Sequence, residues 1–349
     1  MSHLRPAAFA IPGDITTLTG GYIYERRLLE GLRDQGRDVL HLELPAGFPA
    51  PDPADMATAV RQLQDLPGDR VLILDGLVFG SIDTAGLAGV RAPILAMIHH
   101  PLALESGLDP ADRDHLYRTE RDNLRLARHV LVPSPHTRRM LTQHYGVAPD
   151  RISIARPGVD PPRLAPAPVV PPLILSVGIL HPRKGHDILI DSLSRIADLE
   201  WQAVIVGQPW HGAHAGDLAR MVQRLGLSDR LRLTGQIPAE ALQTLFSQAA
   251  IFALATRYEG YGIVFDEALS HGLPIVSCAT GAVPDTVPAA ARVLVPPDDP
   301  AAFADALRGL LERPDQRAAL AAAALATRLT RWSDTARAAG AVLDGADFA

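Results

Sequence analysis

Between Ile251 and Ser277 the chain spells strand, glycine loop, helix, glycine stop and strand, and this stretch constrains the fold more than any other. Ile251 to Thr256 is an apolar run of strand length. Gly260 and Gly262 let the backbone turn sharply and approach a ligand closely. Ile263, Asp266, Glu267 and Ser270 then fall at helical spacing. Gly272 ends that helix, and Pro274 opens a second buried strand, Ile275 to Ser277. Such a unit belongs in an open α/β sheet, where ligands bind at the carboxyl ends of the strands. A helix amino terminus at that edge favours an anion such as a phosphate. Two acids sit there: Glu259 just outside the strand end and Glu267 in the early turns of the helix.

The same alternation runs through the rest of the chain. Ala7 to Ile11 reads as a first strand, Pro12 to Gly21 as a loop, Tyr22 to Gln35 as a helix and Val39 to Leu44 as a second strand. The paired glycines Gly20 and Gly21 open that helix, but they form neither a Gly-x-Gly-x-x-Gly fingerprint nor a Walker loop. Strands at Val71 to Asp75 and Pro93 to Ile98 follow, the latter ending in His99-His100-Pro101. Adjacent histidines at a strand end are placed for chemistry; without a nearby cysteine they make no recognisable zinc set. A long charged helix is expected from Ala111 to Arg128, with Glu120 as a solvated charge and Asp112-Arg113-Asp114 as exposed charge at its start. Strands His129 to Pro133 and Ile152 to Ala155 complete this half.

Proline dominates residues 161–172, where no periodic pattern survives, so a linker is expected there. Beyond it, the strand Leu173 to Val177 runs into Gly178, then into Arg183-Lys184-Gly185 and a helix from His186. A guanidinium fork and an ammonium beside a helix start suit a diphosphate. Trp201 to Val206 ends in Gly207, before a loop over 208–216 that carries Trp210, His211 and His214. Arg230 to Thr234 ends in Gly235-Gln236-Ile237. A small strand at Arg292 to Val295, a helix from Pro300 and a last helix reaching Leu343 close the chain.

With 349 residues, two domains are expected. A net charge of −6 argues against a broad nucleic-acid surface. Cys278, the one cysteine, excludes an intramolecular disulfide and suits a reducing cytoplasm. No secretory signal pattern opens the chain, and no apolar run approaches the roughly 20 residues that span a bilayer.

Glu259-Gly-Tyr-Gly-x-x-x-x-Glu267, with Gly272-Leu-Pro-Ile-Val-Ser277 and Gly281-Ala-Val-Pro-Asp285 after it, resembles the Glu-x7-Glu motif of retaining nucleotide-sugar glycosyltransferases, family 4-like, of the GT-B fold. The family usually has a second glycine after Gly281 and a glutamate where Asp285 stands. Gly178 to Gly185, with Arg183 and Lys184, is similar to the family's diphosphate-binding turn, and Arg156-Pro-Gly-Val-Asp160 to its domain boundary. The resemblance is strong from Leu173 to Asp285 and loose before Ile152. It implies two doubly wound Rossmann-like domains facing a cleft. The acceptor domain would span 1–160, the linker 161–172 and the nucleotide-sugar domain 173–325; a C-terminal crossover helix in 326–349 would pack on the first domain. It also implies a donor site made by Gly20, Gly21, Gly178, Arg183, Lys184, Gly207, Ile237, Glu259, Gly260, Tyr261, Gly262, Ile263 and Glu267. Catalysis would fall to Glu259, Arg183, Lys184 and a histidine, His99 or His100, with His100 slightly preferred.

The function expected from these features is metal-independent transfer of a sugar from a nucleotide diphosphate sugar to an acceptor hydroxyl, with no cofactor. The acceptor is open, with a small soluble molecule preferred; no nucleic acid and no integral membrane segment are expected. A nucleotide-sugar epimerase would share the architecture, and product analysis without an acceptor separates the two. A non-catalytic sugar-nucleotide sensor has less need of Glu259 beside the sugar.

Overall fold

The computed structural model describes residues 4–105, 107–210, 212–345 and 348. The chain divides into two compact units, residues 1–158 with 330–349 and residues 159–329. Each unit is built on one six-stranded sheet, and every recorded strand pair in both is parallel.

In the first unit the strands are β1 (Ala7–Pro12), β2 (Val39–Leu44), β3 (Val71–Asp75), β4 (Ile94–Met97), β5 (His129–Val132) and β6 (Ile152–Ile154), in the order β2-β1-β3-β4-β5-β6. β1 and β3 are buried along their whole length, as strands must be when helices cover both faces. The chain leaves β1 for β2 on one side and returns to β3 on the other, so the topological switch lies between β1 and β3. A ligand crevice is expected outside the carboxyl ends of strands at such a point.

The second unit holds β7 (Leu173–Val177), β8 (Gln202–Val206), β9 (Leu231–Leu233), β10 (Ala249–Leu254), β11 (Ile275–Cys278) and β12 (Arg292–Val295), in the order β12-β11-β10-β7-β8-β9. Its switch point lies between β7 and β10. Alternate residues of one strand feed two cores. Ile174, Ile205, Ile251 and Ala253 pack on one face, and Leu175, Val204, Phe252 and Leu254 on the other.

Helix Trp332–Leu343 packs on helix Gly20–Asp34 within the first unit. A methyl group on Gly31 would lie 2.7 Å from the Ala336 Cβ, so the small residue sets the approach of the two helices. Arg37, buried beneath them, pairs with Asp344 at 2.7 Å. The proline-rich stretch groups with the second unit, where the Ala167 and Val169 N–H groups donate to Ser247 O (2.7 Å) and Gln248 O (3.1 Å).

Several elements differ from the sequence reading. Gly20 and Gly21 form the first turn of their helix rather than a loop, because Thr19 is extended and accepts the Ile23 N–H at 2.9 Å. The charged helix is shorter, Pro110–Asn123. Buried Asn123 stops it by donating to Phe79 O (2.7 Å) and Ile82 O (3.0 Å), and the following turn buries Leu124 and Ala127. Glu120 is no solvated charge: it is wholly buried, accepts the Leu102 N–H at 3.3 Å, and burial pushes its carboxyl up to about 8. Asp112 and Asp114 are exposed. The short helices Gly76–Phe79, Thr84–Ala88 and Val283–Thr286 carry too few residues to show a helical period. Helix His214–Arg224 takes up the end of the 208–216 loop, and His211 lies outside the described residues. Among the described residues, no helix is long and apolar enough to cross a membrane.

Candidate active site

In the second unit, the carboxyl ends of β7 and β10 bring two distant stretches together. The turn after β7 folds into a short 3-10 helix, Pro182–Lys184, which His181 caps by accepting the Arg183 N–H on Nδ1 at 3.1 Å. Buried His186 opens the next helix and donates from Nε2 to Gly178 O at 3.2 Å, tying the two ends of the turn together. Arg257, just beyond β10, forks onto Asp187 at 2.8 and 3.0 Å and fastens the β10 side to that helix. The Arg257 N–H also donates to Arg183 O at 2.8 Å.

This bracing sets Arg183 and Lys184 against Glu259. Lys184 Nζ donates to Glu259 Oε1 at 2.7 Å, and Arg183 lies 3.8 Å from Oε2. The Thr256 hydroxyl donates to Oε1 at 3.1 Å. Burial would raise the Glu259 carboxyl, but Lys184 and Arg183 outweigh it and hold the group below the usual carboxylate range. The side chains of Arg183 and Lys184 are only 15% and 12% exposed, and that of Glu259 only 5%. The long aliphatic stems lie along the protein, and the charged ends are drawn in by the carboxylate. Thr256 was not singled out in the sequence; a hydroxyl closing an apolar strand run was the only signal for it.

The glycine loop and helix Ile263–Ser270 present the other acid. Gly262 has φ 86°, which an L side chain rarely adopts, and a Cβ there would meet the Phe265 ring at 2.6 Å. Phe265 is fully buried and packs edge-on against Phe252 at 5.8 Å, anchoring the helix with about 1.5–3 kcal/mol of burial. Tyr261 donates its hydroxyl to Asp266 at 2.6 Å. Ile263 opens the helix, and Gly260 is buried in the loop before it. The Ala282 N–H donates to Glu259 O at 2.8 Å, which fixes the backbone of that acid. The Glu267 carbonyl accepts from Ser270 Oγ (2.7 Å), but its carboxyl makes no hydrogen bond or ion pair among the described residues, and burial, with Asp266 and Asp160 adding, pushes that carboxyl up to about 7. Ile237, after β9, is half-buried against the core. Gly207, just after β8, packs directly on Gly178, where a Cβ would lie 1.8 Å from Gly178 O. That glycine is required by backbone packing.

The switch point of the first unit gathers different chemistry. Glu25 on the second turn of helix Gly20–Asp34, Asp75 at the end of β3 and His99 beyond β4 place ligand atoms within 4.8 Å of one another. His99 Nε2 lies 3.1 Å from Glu25 Oε1, and Asp75 accepts the Leu77 and Val78 N–H groups at 2.9 and 3.3 Å. Both acids are 2% exposed. Burial raises the Glu25 carboxyl to about 7 and Asp75 well above its usual range, and it lowers His99. Among the described residues this is the group with a donor set for a metal ion, and the sequence reading missed it because Glu25 and Asp75 lie far from His99 in the chain. His99 also faces the helix start, 3.8 Å from where a Gly21 Cβ would stand, whereas Gly20 faces open space. His100 pairs instead with Glu105 at 3.2 Å.

Two doubly wound parallel units, each with polar groups gathered at its switch point, define the GT-B class of fold. Residues 165–327 match the family model of group 1 glycosyl transferases, and residues 38–163 match that of glycosyltransferase family 4. The chain belongs to the group 1, family 4 glycosyltransferases. It is 31% identical over 223 residues to a D-inositol 3-phosphate glycosyltransferase of Xylanimonas cellulosilytica, covering 58% of this chain and 53% of that protein. It is 32% identical over 200 residues to a GDP-mannose-dependent alpha-(1-6)-phosphatidylinositol monomannoside mannosyltransferase of Mycolicibacterium smegmatis, covering 50% of this chain and 51% of that one. The chain thus spans about half the length of the curated relatives it matches. Among solved structures, sucrose-phosphate synthase of Thermosynechococcus elongatus superposes with a TM-score of 0.83 at 22% identity, over 97% of this chain and 98% of that one. Anabaena HepE, in complex with UDP and glucose, superposes with a TM-score of 0.77 at 17% identity, over 98% of this chain and 100% of that one.

Proposed function

We propose that this protein is a retaining glycosyltransferase that moves a sugar from a nucleotide diphosphate sugar to an acceptor hydroxyl. The observation that carries this reading is the meeting of Arg183, Lys184 and Glu259 at the switch point of the second sheet, cations and acid together where a ligand is expected. Arg183 and Lys184 take the diphosphate. Glu267, whose carboxylate has no hydrogen-bond or ion-pair partner among the described residues, accepts from the ribose hydroxyls. Gly178 and the turn carrying Ile237 receive the base and phosphates, and Glu259 with the Gly260–Ile263 loop receives the sugar. In the first unit, Gly20, Gly21 and a histidine serve the sugar and acceptor; its contact with Glu25 and its place beside Gly21 favour His99 over His100.

In the reaction the bond from the anomeric carbon to the leaving phosphate breaks while the acceptor oxygen attacks from the same face. The leaving phosphate oxygen takes the acceptor proton. Negative charge grows on that phosphate, and two fixed cations in a water-poor site stabilise it without reorganising. No protein nucleophile and no metal enter this scheme.

The relatives named for inositol 3-phosphate support a small hydroxyl-bearing acceptor. A reducing, cytoplasmic setting fits the single buried thiol of Cys278. A thermal-shift screen of nucleotide sugars tests the donor, since a ligand at 100 times its Kd stabilises by about 2.7 kcal/mol. One nucleotide sugar is expected to raise the melting temperature and then to be consumed when acceptors are added. A screen in which none does so rejects the reading.

A further inference from the structure

We infer that Glu259 is a resident counter-ion, which holds Arg183 and Lys184 in the diphosphate's place until a donor arrives and then surrenders them to the phosphates. This rests on the donor reading above and adds a step to it. Two cations kept ready for a phosphate, with side chains only 15% and 12% exposed, carry a desolvation cost unless an anion stands with them. Glu259 is that anion, and its two oxygens divide between the two cations, Oε1 at 2.7 Å from Lys184 and Oε2 at 3.8 Å from Arg183. The contacts are unequal. Lys184 makes a short charged hydrogen bond, whereas Arg183 spends its NH1 on Tyr258 O at 3.1 Å and meets the acid without a direct hydrogen bond. One carboxylate is shared between the two cations.

Binding a diphosphate therefore makes phosphate oxygens compete with Glu259 for the same nitrogens. Once displaced from Lys184, the carboxylate keeps Thr256 and gains acceptor capacity for a sugar hydroxyl. A complete donor supplies that hydroxyl and a bare nucleoside diphosphate does not. The acid thus penalises the empty diphosphate and rewards the full donor, which favours product release after transfer.

The test is calorimetric titration of uridine, guanosine and adenosine diphosphates into the wild-type chain, Glu259→Gln and Glu259→Asp. The diphosphate that binds the wild type is expected to bind Glu259→Gln about tenfold tighter, equivalent to removing roughly 1.4 kcal/mol of competing ion pairing. Glu259→Asp, which keeps the charge but withdraws it by one methylene, is expected to fall between. If Glu259→Gln is too unstable for calorimetry, the rise in melting temperature at saturating diphosphate gives the same answer, being larger in the variant than in the wild type. Equal or weaker binding by Glu259→Gln overturns the counter-ion role while leaving the donor site in place. Failure of all three diphosphates to bind the wild type overturns the donor reading, and the counter-ion role with it.

Discussion

The two switch points of this molecule have the same topology and different electrostatics. At the β7/β10 edge one buried carboxylate faces an ammonium and a guanidinium. At the β1/β3 edge two buried carboxylates face one imidazole, and no lysine or arginine pairs with Glu25 or Asp75 among the described residues. The parallel sheet therefore supplies a place for a ligand, and side chains decide what it is. The second edge, with its two cations, suits a multiply charged anion. The first offers an anion no lysine or arginine among the described residues, and its carboxyl and imidazole groups suit neutral hydroxyl groups, which they accept from or donate to. That difference supports our proposal that unit 2 is the nucleotide half and unit 1 the acceptor half.

Removing the cations breaks the comparison most severely. Arg183→Ala and Lys184→Ala are each expected to lower turnover by roughly 10²-fold or more, the scale of losing one charge-stabilising group. Lys184→Ala also leaves Glu259 buried without its closest partner, so its melting temperature falls too. Near-normal turnover in both purified variants would erase the distinction between the two edges. In the first unit, His99→Ala is expected to cost up to about tenfold in turnover, the worth of one good hydrogen bond, and His100→Ala less. The reverse ranking would move the sugar contact to His100 and its Glu105 pair.

Glu267→Gln is expected to weaken nucleotide binding by roughly tenfold, again one charged hydrogen bond to a hydroxyl. Its stability effect has the opposite sign. The Glu267 carboxyl titrates near 4.5 when unfolded and about 7 when folded, so the folded chain holds the proton more tightly. Stability from this group therefore declines as pH rises between those values, and the penalty persists above about 7. The glutamine variant lacks that penalty and should melt higher than the wild type at alkaline pH; a lower melting point there would show the carboxylate to be well solvated. The smallest effect expected is that of a chelator, which should leave turnover within about twofold if fixed cations rather than a metal carry the phosphate charge. Loss of turnover on chelation, restored by zinc and absent in His99→Ala, would make Glu25, Asp75 and His99 a metal centre.

The second unit was the more legible in the sequence. Its strands are short apolar runs, its turns carry glycines, and Arg183, Lys184, Glu259 and Glu267 lie in compact local motifs that fix their own setting. What could not be read was the contact between motifs: Lys184 and Glu259 are far apart in sequence, and only the pairing of β7 with β10 brings them together. The same reason hid the first-unit cluster, whose members come from a helix, the end of β3 and the loop beyond β4. Glu120 misled because its helix is strongly charged; the buried face there is set by Asn123 and by the turn at Leu102, neither of which alters helical periodicity. Gly20 and Gly21 misled because glycine marks loops and helix starts alike.

The most direct measurement is the anomeric configuration of the first product, followed by NMR while the enzyme consumes its nucleotide sugar in the presence of acceptor. Same-face attack, with the leaving phosphate held by Arg183 and Lys184, predicts a product with the configuration of the donor from the earliest time points. A product of inverted configuration, or a nucleotide sugar epimerised without any transfer, would contradict it.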